Sequence, residues 1–245
     1  MSKASCTSAT RCRPSASWGA SFDTYLRNNV QVTQQLLELA RSSKRLLKFV
    51  YASSSSVYGN SDAREKVETL PTRPLSPYAA GKLLGEHYTL IFNSLYGLPT
   101  VALRYSNVYG PRQDPHGEAG VVAIFIEKFL AGQQPRINGD GLQTRDFVFV
   151  GDIVAANLLA LDYPKAGAFN IGTGRETDIL TIYLQLQEYL GSPLGPVHGP
   201  AKPGEQRRSV LDSNLAQNEL GWQPRVSLAQ GLAQTAAAFR EAASR

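Results

Sequence analysis

Apolar positions along the chain fall into blocks of two alternating kinds. From 23 to 41, DTYLRNNVQVTQQLLELAR, the residues Leu26, Val30, Leu36, Leu37 and Ala40 recur at roughly helical spacing, which predicts an amphipathic helix. LLKFVYAS (46–53) is a short apolar run without alternation, the pattern of a strand buried on both faces in a parallel sheet. A polar loop (60–75) leads to a helix beginning SPYAAGKLLGE at 76. TVALRYS (100–106) is again a strand, and a loop rich in Gly and Pro leads to the helix VVAIFIEKFLAG (121–132). RDFVFV (145–150) is a strand, after which Gly151-Asp152 opens the helix IVAANLLAL with Asp152 as expected N-cap. AFNIGTG (168–174) is a strand ending in a tight turn. Beyond 175 the helices ILTIYLQLQEYLG and LAQGLAQTAAAFREAA dominate, separated by a Pro- and Gly-rich segment (191–206). Strands alternating with helices imply a mostly parallel sheet covered on both faces, with ligands at the carboxyl ends of its strands.

That rule directs attention to two stretches. Ser76 as N-cap and Pro77 at the first helical position start a helix on which Tyr78 and Lys82 occupy adjacent turns of one face. An ammonium near a phenol stabilises phenolate and draws the pKa of about 10 toward neutrality, so Tyr78 is a candidate proton acceptor. A Tyr and a Lys four apart also arise by chance in a chain with 11 Tyr, so the pair taken alone reads as structural. The strand before it shifts the balance: VYASSSSVYG (50–59) ends in four consecutive serines where a doubly wound sheet places ligands. Most of these hydroxyls are expected to satisfy turn backbone, and one facing a ligand suffices.

Composition restricts the classes. The chain has 245 residues and 42% hydrophobic content, enough for a sizeable core. It contains no apolar run of transmembrane length, and MSKASCTSATRCRPSASWG has no apolar signal segment, so the protein is read as cytoplasmic and not membrane-bound. Cys6 and Cys12 have no ligand-like neighbours and are read as surface thiols, with no metal site. A net charge of +5 without a basic stripe favours small anionic ligands over nucleic acid. His87, His116 and His198 are expected to play no catalytic part.

Taken in order, RNNVQVTQQLLE, SSSSVYG, SPYAAGK, LRYSNVYGPRQDP, INGDGLQTRDFVFVGDI, FNIGTG and PGEQRRS resemble the extended short-chain dehydrogenase/reductases, specifically the NAD-dependent nucleotide-sugar epimerases and dehydratases, over about residues 18–235. The resemblance implies an α/β, Rossmann-type doubly wound parallel sheet with a smaller C-terminal α/β substrate-binding lobe. It divides the chain into an unmatched leader (1–17), the remainder of an NAD-binding domain (18–110) and a mainly nucleotide-sugar lobe (111–245), with 145–172 partly returning to the Rossmann domain. By the same resemblance Ser54, Tyr78 and Lys82 are catalytic: Ser54 binds the sugar O4, Tyr78 is the general base and acid, and Lys82 lowers its pKa and binds the nicotinamide ribose. Asn28 and Ser106 join these three in binding NAD. Ser54, Tyr78, Asn107, Arg145, Lys202, Glu205 and Arg207 meet the substrate, the arginines and Asn107 at the diphosphate and Glu205 at ribose hydroxyls. Lys202 stands where many relatives carry Arg. Arg208 is expected to face solvent, and the GDG at 139–141 to make a turn.

The implied reaction removes the O4 proton to Tyr78 and passes the C4 hydride to NAD, so that rotation of the 4-keto sugar and return of the hydride invert C4. Dehydratases of the family carry an Asp-Glu pair directly after the catalytic Ser/Thr; Ser55 and Ser56 stand there, which favours an epimerase, with UDP-glucose and UDP-galactose as the expected pair. Other readings are a dehydratase or reductase of the same family, or a non-catalytic nucleotide-sugar-binding fragment. Relatives dimerise through a four-helix bundle, for which helices 23–41 and 76–97 are the expected elements. The Gly-rich phosphate turn and the acidic residue about 20 positions beyond it are not found in the sequence, so the first βαβ units are expected to be missing, the chain being either a truncated reading frame of a complete epimerase, the favoured reading, or a short protein that has lost the cofactor lobe.

Overall fold

The structure, a computed structural model, describes residues 5–7, 19, 22–61, 63–116, 120–201 and 206–244. Its residues group into two compact units. Unit 1 takes the chain up to Tyr105 together with Val154–Ile171 and Asp212–Gln223; unit 2 takes Ser106–Ile153, Gly172–Leu211 and the chain from Pro224. The return of Asp212–Gln223 to unit 1 has no counterpart in the sequence reading, which anticipates only the segment near 145–172.

Unit 1 is built on a four-stranded parallel sheet ordered β1 (Ser5–Thr7), β2 (Phe49–Ser54), β3 (Thr100–Tyr105) and β7 (Gly167–Ile171). β1 lies within the segment expected to be an unmatched leader, yet it pairs with β2, Cys6 opposite Val50. β2 and β3 are buried along almost their whole length, as their unbroken apolar runs require. The helix expected over 23–41 is three pieces: α1 (Phe22–Leu26), a π-helical turn (Arg27–Gln31) and α2 (Val32–Ser42). The π turn carries an extra residue per turn and rotates Asn29, rather than an apolar residue, to the buried side. α3 (Pro77–Tyr96) begins as the sequence predicts: Ser76 Oγ accepts from Ala79 N at 3.2 Å, and Pro77 is the first helical residue. It ends at Gly97, whose φ of 66° is left-handed. Leu37, Phe49, Tyr51, Phe92, Leu98 and Ala102 form the core that packs α2 and α3 on the sheet.

Unit 2 contains β4 (Asn107–Tyr109), α4 (Val121–Leu130), β5 (Arg136–Asn138), β6 (Thr144–Phe149), β8 (Glu176–Asp178), α6 (Ile179–Leu190), β9 (Val197–Gly199) and α8 (Leu228–Ala243). β4 and β8 flank β6, parallel and antiparallel respectively, and β5 pairs with β9. These strands of three residues are too short to leave a periodic signal, and the sequence reading misses them. The core gathers Tyr109, Phe125, Phe129, Phe147, Tyr183 and Leu186 with their apolar neighbours. α5 (Val150–Asp162) starts directly after β6, three residues earlier than expected. Asp152 is therefore inside the helix and not its N-cap; its carboxylate instead accepts from the backbone N–H groups of Arg225 and Val226 at 3.1 and 3.2 Å. α7 (Asn214–Leu220) belongs to unit 1.

Candidate active site

Ser54 is the last residue of β2, and the next four residues form a single 3-10 turn, Ser55–Tyr58. Its Oγ accepts from Ser56 N at 3.2 Å and Ser56 Oγ at 2.9 Å, so the serine-rich strand end is shaped by its own hydroxyls. Ser53 turns the other way, buried, and donates to Glu86 Oε2 at 2.7 Å. Gly59 closes the turn with φ 59° and ψ −149°, a conformation essentially reserved for glycine.

Tyr78 and Lys82 sit one turn apart on α3, 6% and 2% exposed. Tyr78 packs with Tyr25 of α1 and Ala79. Lys82 Nζ donates to Ala52 O at 2.7 Å and stands 5.5 Å from the Tyr51 ring centroid. A buried ammonium needs such partners, since an unpaired charge in this setting costs several kcal/mol, of the order of 5 or more. Ala52 precedes Ser54 by two residues, so the Lys82 contact fastens α3 to the strand end that carries Ser54. Gly85 permits the close approach of Tyr51 beneath α3: a Cβ there would lie 2.3 Å from Tyr51 Oη. Ser54, Tyr78 and Lys82 thus belong to one unit and two adjoining elements, β2 and α3.

Of the residues assigned to the cofactor, Asn28 is half-buried, while the neighbouring Asn29 is fully buried, its Cβ 3.4 Å from where a Cβ on Gly81 of α3 would be. Asn29, the neighbour of Asn28, thus lies against the helix that carries Tyr78 and Lys82. Ser106, between β3 and β4, has a buried Oγ without a hydrogen-bond partner among the described residues. A buried hydroxyl of this kind suits a bound polar group.

The residues expected to meet a nucleotide diphosphate lie in unit 2. Asn107, the first residue of β4, is exposed. Arg145, the second of β6, is half-buried and donates through Nη1 to Thr144 O at 2.8 Å. Arg207 is exposed and engaged in a two-pronged pair with Asp140, both bonds 2.8 Å. Those hydrogen bonds, with that from Leu142 N, hold the Asp140 carboxyl down at about 2. Lys202 and Glu205 lie outside the described residues. Arg208 pairs with Glu176 at 2.7 Å on the surface, and residues 139–141 form a turn with Gly139 at φ 66° and Gly141 at φ 76°. His116 pairs with Glu127 at 2.8 Å, His198 Nδ1 lies 2.8 Å from Gly139 O, and His87 is exposed. Among the described residues no cluster of His, Cys, Asp and Glu is arranged to hold a metal, and no helix is long and apolar enough to cross a membrane.

The sequence reading missed the buried polar system behind the strand end. Arg104 Nη2 donates to Glu86 Oε1 at 2.5 Å and Arg104 Nη1 to Tyr58 Oη at 2.7 Å, while Tyr58 donates to Asn170 Oδ1 at 2.8 Å. Burial opposes the charge of Arg104, but the hydrogen bonds and charge of Glu86 outweigh it and raise the guanidinium above its ordinary value. Burial raises the Tyr58 phenol against the lowering effect of Arg104. The sequence sign was an Arg inside an otherwise apolar strand, LRYS, and a Glu four residues after Lys82.

UDP-glucose 4-epimerase of Mycolicibacterium smegmatis is 47% identical over 215 residues, 86% of this chain and 68% of that protein. The crystal structure of UDP-glucose 4-epimerase from Thermotoga maritima with UDP-glucose superposes with a TM-score of 0.91 at 40% identity, covering 96% of this chain and 76% of the other. UDP-glucose 4-epimerase from Thermus thermophilus in complex with NAD superposes with a TM-score of 0.86 at 37% identity, with the same coverage of 96% and 76%. The chain spans about two thirds of the length of the curated relatives it matches. The pattern of the family matches residues 9–172, starting within the segment expected to be an unmatched leader. With Ser54, Tyr78 and Lys82 placed on β2 and α3 of a parallel sheet, the chain belongs to the NAD dependent epimerase/dehydratase family.

Proposed function

We propose that the chain carries the catalytic and substrate-binding residues of an NAD-dependent UDP-sugar 4-epimerase of the UDP-glucose/UDP-galactose type, acting in the cytoplasm. The observation that carries this reading is the buried Lys82 ammonium, one turn from Tyr78 and bonded to the carbonyl two residues before Ser54. In a site of this kind the ammonium favours phenolate at Tyr78, which accepts the O4 proton while Ser54 Oγ hydrogen-bonds O4. NAD held at Tyr78 and Lys82 would supply the hydride acceptor and donor needed at C4. Tyr78 then returns its proton to O4, so the enzyme ends the cycle as it began.

Within unit 1, Asn28, Ser54, Tyr78 and Lys82 would hold the dinucleotide; in unit 2 the Ser106 Oγ, buried and without a hydrogen-bond partner among the described residues, suits a polar group of a ligand. Arg145, Arg207 and Asn107 would hold the diphosphate and Glu205 the ribose hydroxyls, with Lys202 standing where many relatives carry Arg. The planar guanidinium fork of Arg207 matches a phosphate as well as it matches the Asp140 carboxylate. Ser55 and Ser56 follow Ser54 with no carboxylate to remove water, which supports epimerisation over dehydration.

A homodimer through α1–α2 and α3 completes the reading. Leu84, Ile91 and Leu95 are exposed at positions along one face of α3, and Leu39 of α2 is 69% exposed. The test is conversion of UDP-galactose to UDP-glucose by the purified chain, with Tyr78→Phe as control, together with NAD release and the change in melting temperature on adding NAD. NAD-dependent conversion lost in Tyr78→Phe supports the reading. Absence of conversion with NAD bound, or of any NAD effect, overturns it for this chain.

A further inference from the structure

Glu86 lies one turn beyond Lys82 on α3 and is buried at the meeting point of two strands. Ser53 of β2 and Arg104 of β3 are paired directly across the sheet, and both reach it. Ser53 Oγ donates to Oε2 at 2.7 Å; Arg104 donates through Nε to Oε2 at 3.0 Å and through Nη2 to Oε1 at 2.5 Å. Arg104 is itself fixed by Tyr58, which is bonded to Asn170 of β7.

Resting on the function proposed above, we propose that Glu86, Ser53 and Arg104 are positioning residues that clamp α3 onto β2 and β3 and thereby hold Tyr78 and Lys82 in register with Ser54. Besides the apolar packing of α3 on the sheet and the Thr100 Oγ1 bond to Thr89 O, the Glu86 carboxylate adds to the Lys82–Ala52 bond a second polar attachment to β2 and one to β3, on the residue next to Ser54 and its cross-strand neighbour. A helix held at two points along one strand cannot shift by the fraction of an ångström to which catalytic geometry is sensitive. The clamp is also neutral overall, because Arg104 offsets the Glu86 charge close to Lys82. The charge that acts on Tyr78 from α3 is thus that of Lys82. The other titratable or charged groups on the elements around it are Asp23 and Tyr25 of α1, Arg27 of the π turn, Glu38 and Arg41 of α2, Tyr51 of β2, Tyr58 of the 3-10 turn and Arg104 and Tyr105 of β3. Of these, Asp23 and Arg27 are exposed, and Glu38 pairs with Arg41 at 3.0 Å.

The test follows the ionisation of Tyr78 by phenolate ultraviolet absorption against pH, each protein being paired with its own Tyr78→Phe version so that the difference isolates this residue. Two variants release the clamp without stranding a buried ion: Ser53→Ala, and Glu86→Gln combined with Arg104→Met. Ser53→Thr keeps the hydroxyl. The expected result is a Tyr78 midpoint raised by about one pH unit in the first two, as the ammonium loses its place beside the phenol, and a parental midpoint in Ser53→Thr. A lower melting temperature with an unmoved Tyr78 midpoint overturns the proposal, since the pair then contributes stability alone; should the double variant not fold, the Ser53 variants decide by the same criterion. A parental midpoint at the ordinary tyrosine value of about 10 overturns the proposed function as well, which separates the two failures.

Discussion

Lys82 Nζ donates to Ala52 O at 2.7 Å, so an ammonium on a helix is fixed to the strand two residues before Ser54. Lys82→Met removes this donor to the Ala52 carbonyl, at a cost of about 1–3 kcal/mol. In the reaction proposed above it also removes the charge that favours phenolate at Tyr78. The expected outcome is a lower urea midpoint and UDP-galactose conversion reduced by about 100-fold or more. Normal conversion by Lys82→Met would sink the role assigned to this residue.

The turn after Ser54 depends on a glycine. A Cβ on Gly59 would lie 1.9 Å from Arg73 O, a backbone atom that cannot swing aside, and φ 59° with ψ −149° is strained for any other residue. Gly59→Ala is expected to destabilise unit 1 by about 3 kcal/mol or more, read from urea denaturation. A loss under about 0.5 kcal/mol would mean that the turn relaxes without cost, as ordinary surface positions do.

Asp146 organises the end of β6. Its carboxylate accepts from Thr173 N at 2.8 Å, Thr173 Oγ1 at 2.6 Å, Gly174 N at 3.2 Å and Leu211 N at 3.3 Å. Gly172 makes room, since a Cβ there would stand 2.3 Å from Asp146 Oδ2. Asp146→Asn puts an amide NH2 among donors and leaves at least one of them unsatisfied. The expected loss is about 2–3 kcal/mol, seen as a lower urea midpoint for unit 2. Asp146→Asn with parental stability would show that these donors find other acceptors.

What the sequence displays is local. Ser76-Pro77 announces the start of α3, and the apolar runs of β2 and β3 announce a parallel sheet, because capping and burial act on adjacent residues. What it conceals is long-range pairing. Asp152 looks like an N-cap by its position after a strand, but its partners are the backbone groups of residues 225 and 226, which no local pattern indicates. Glu86 looks like a surface residue of an amphipathic helix until Arg104, 18 positions away, is brought to it by the sheet. The burial of Asn29 is hidden as well, for a regular helical period drawn through 23–41 takes no account of the π turn. Arg145 and Arg207 stand out by their motifs, whereas the Asp140 partner of Arg207 comes from a turn 67 residues away.

That last pair yields a prediction with a sign. Arg207 holds the Asp140 carboxyl at about 2 in the folded protein, below its ordinary value of about 3.9. A carboxylate with a depressed folded pKa stabilises the fold above its unfolded pKa, and the contribution is lost as pH falls through the folded value, here between about 4 and 2. Asp140→Asn should therefore flatten the acid limb of a stability-against-pH curve in that window and leave the neutral region almost unchanged, because both side chains are more than half or about half exposed and an exposed pair is weak and screened by salt. The same substitution has a second consequence if Arg207 binds the substrate diphosphate. With the carboxylate gone, the guanidinium no longer has to exchange one anion for another, so KM for the UDP-sugar should fall while kcat holds. Arg207→Ala should raise KM. Asp140→Asn with an unchanged KM, alongside a raised KM in Arg207→Ala, would show that Asp140 aims the arginine without competing for it; an unchanged KM in both would remove Arg207 from the substrate site.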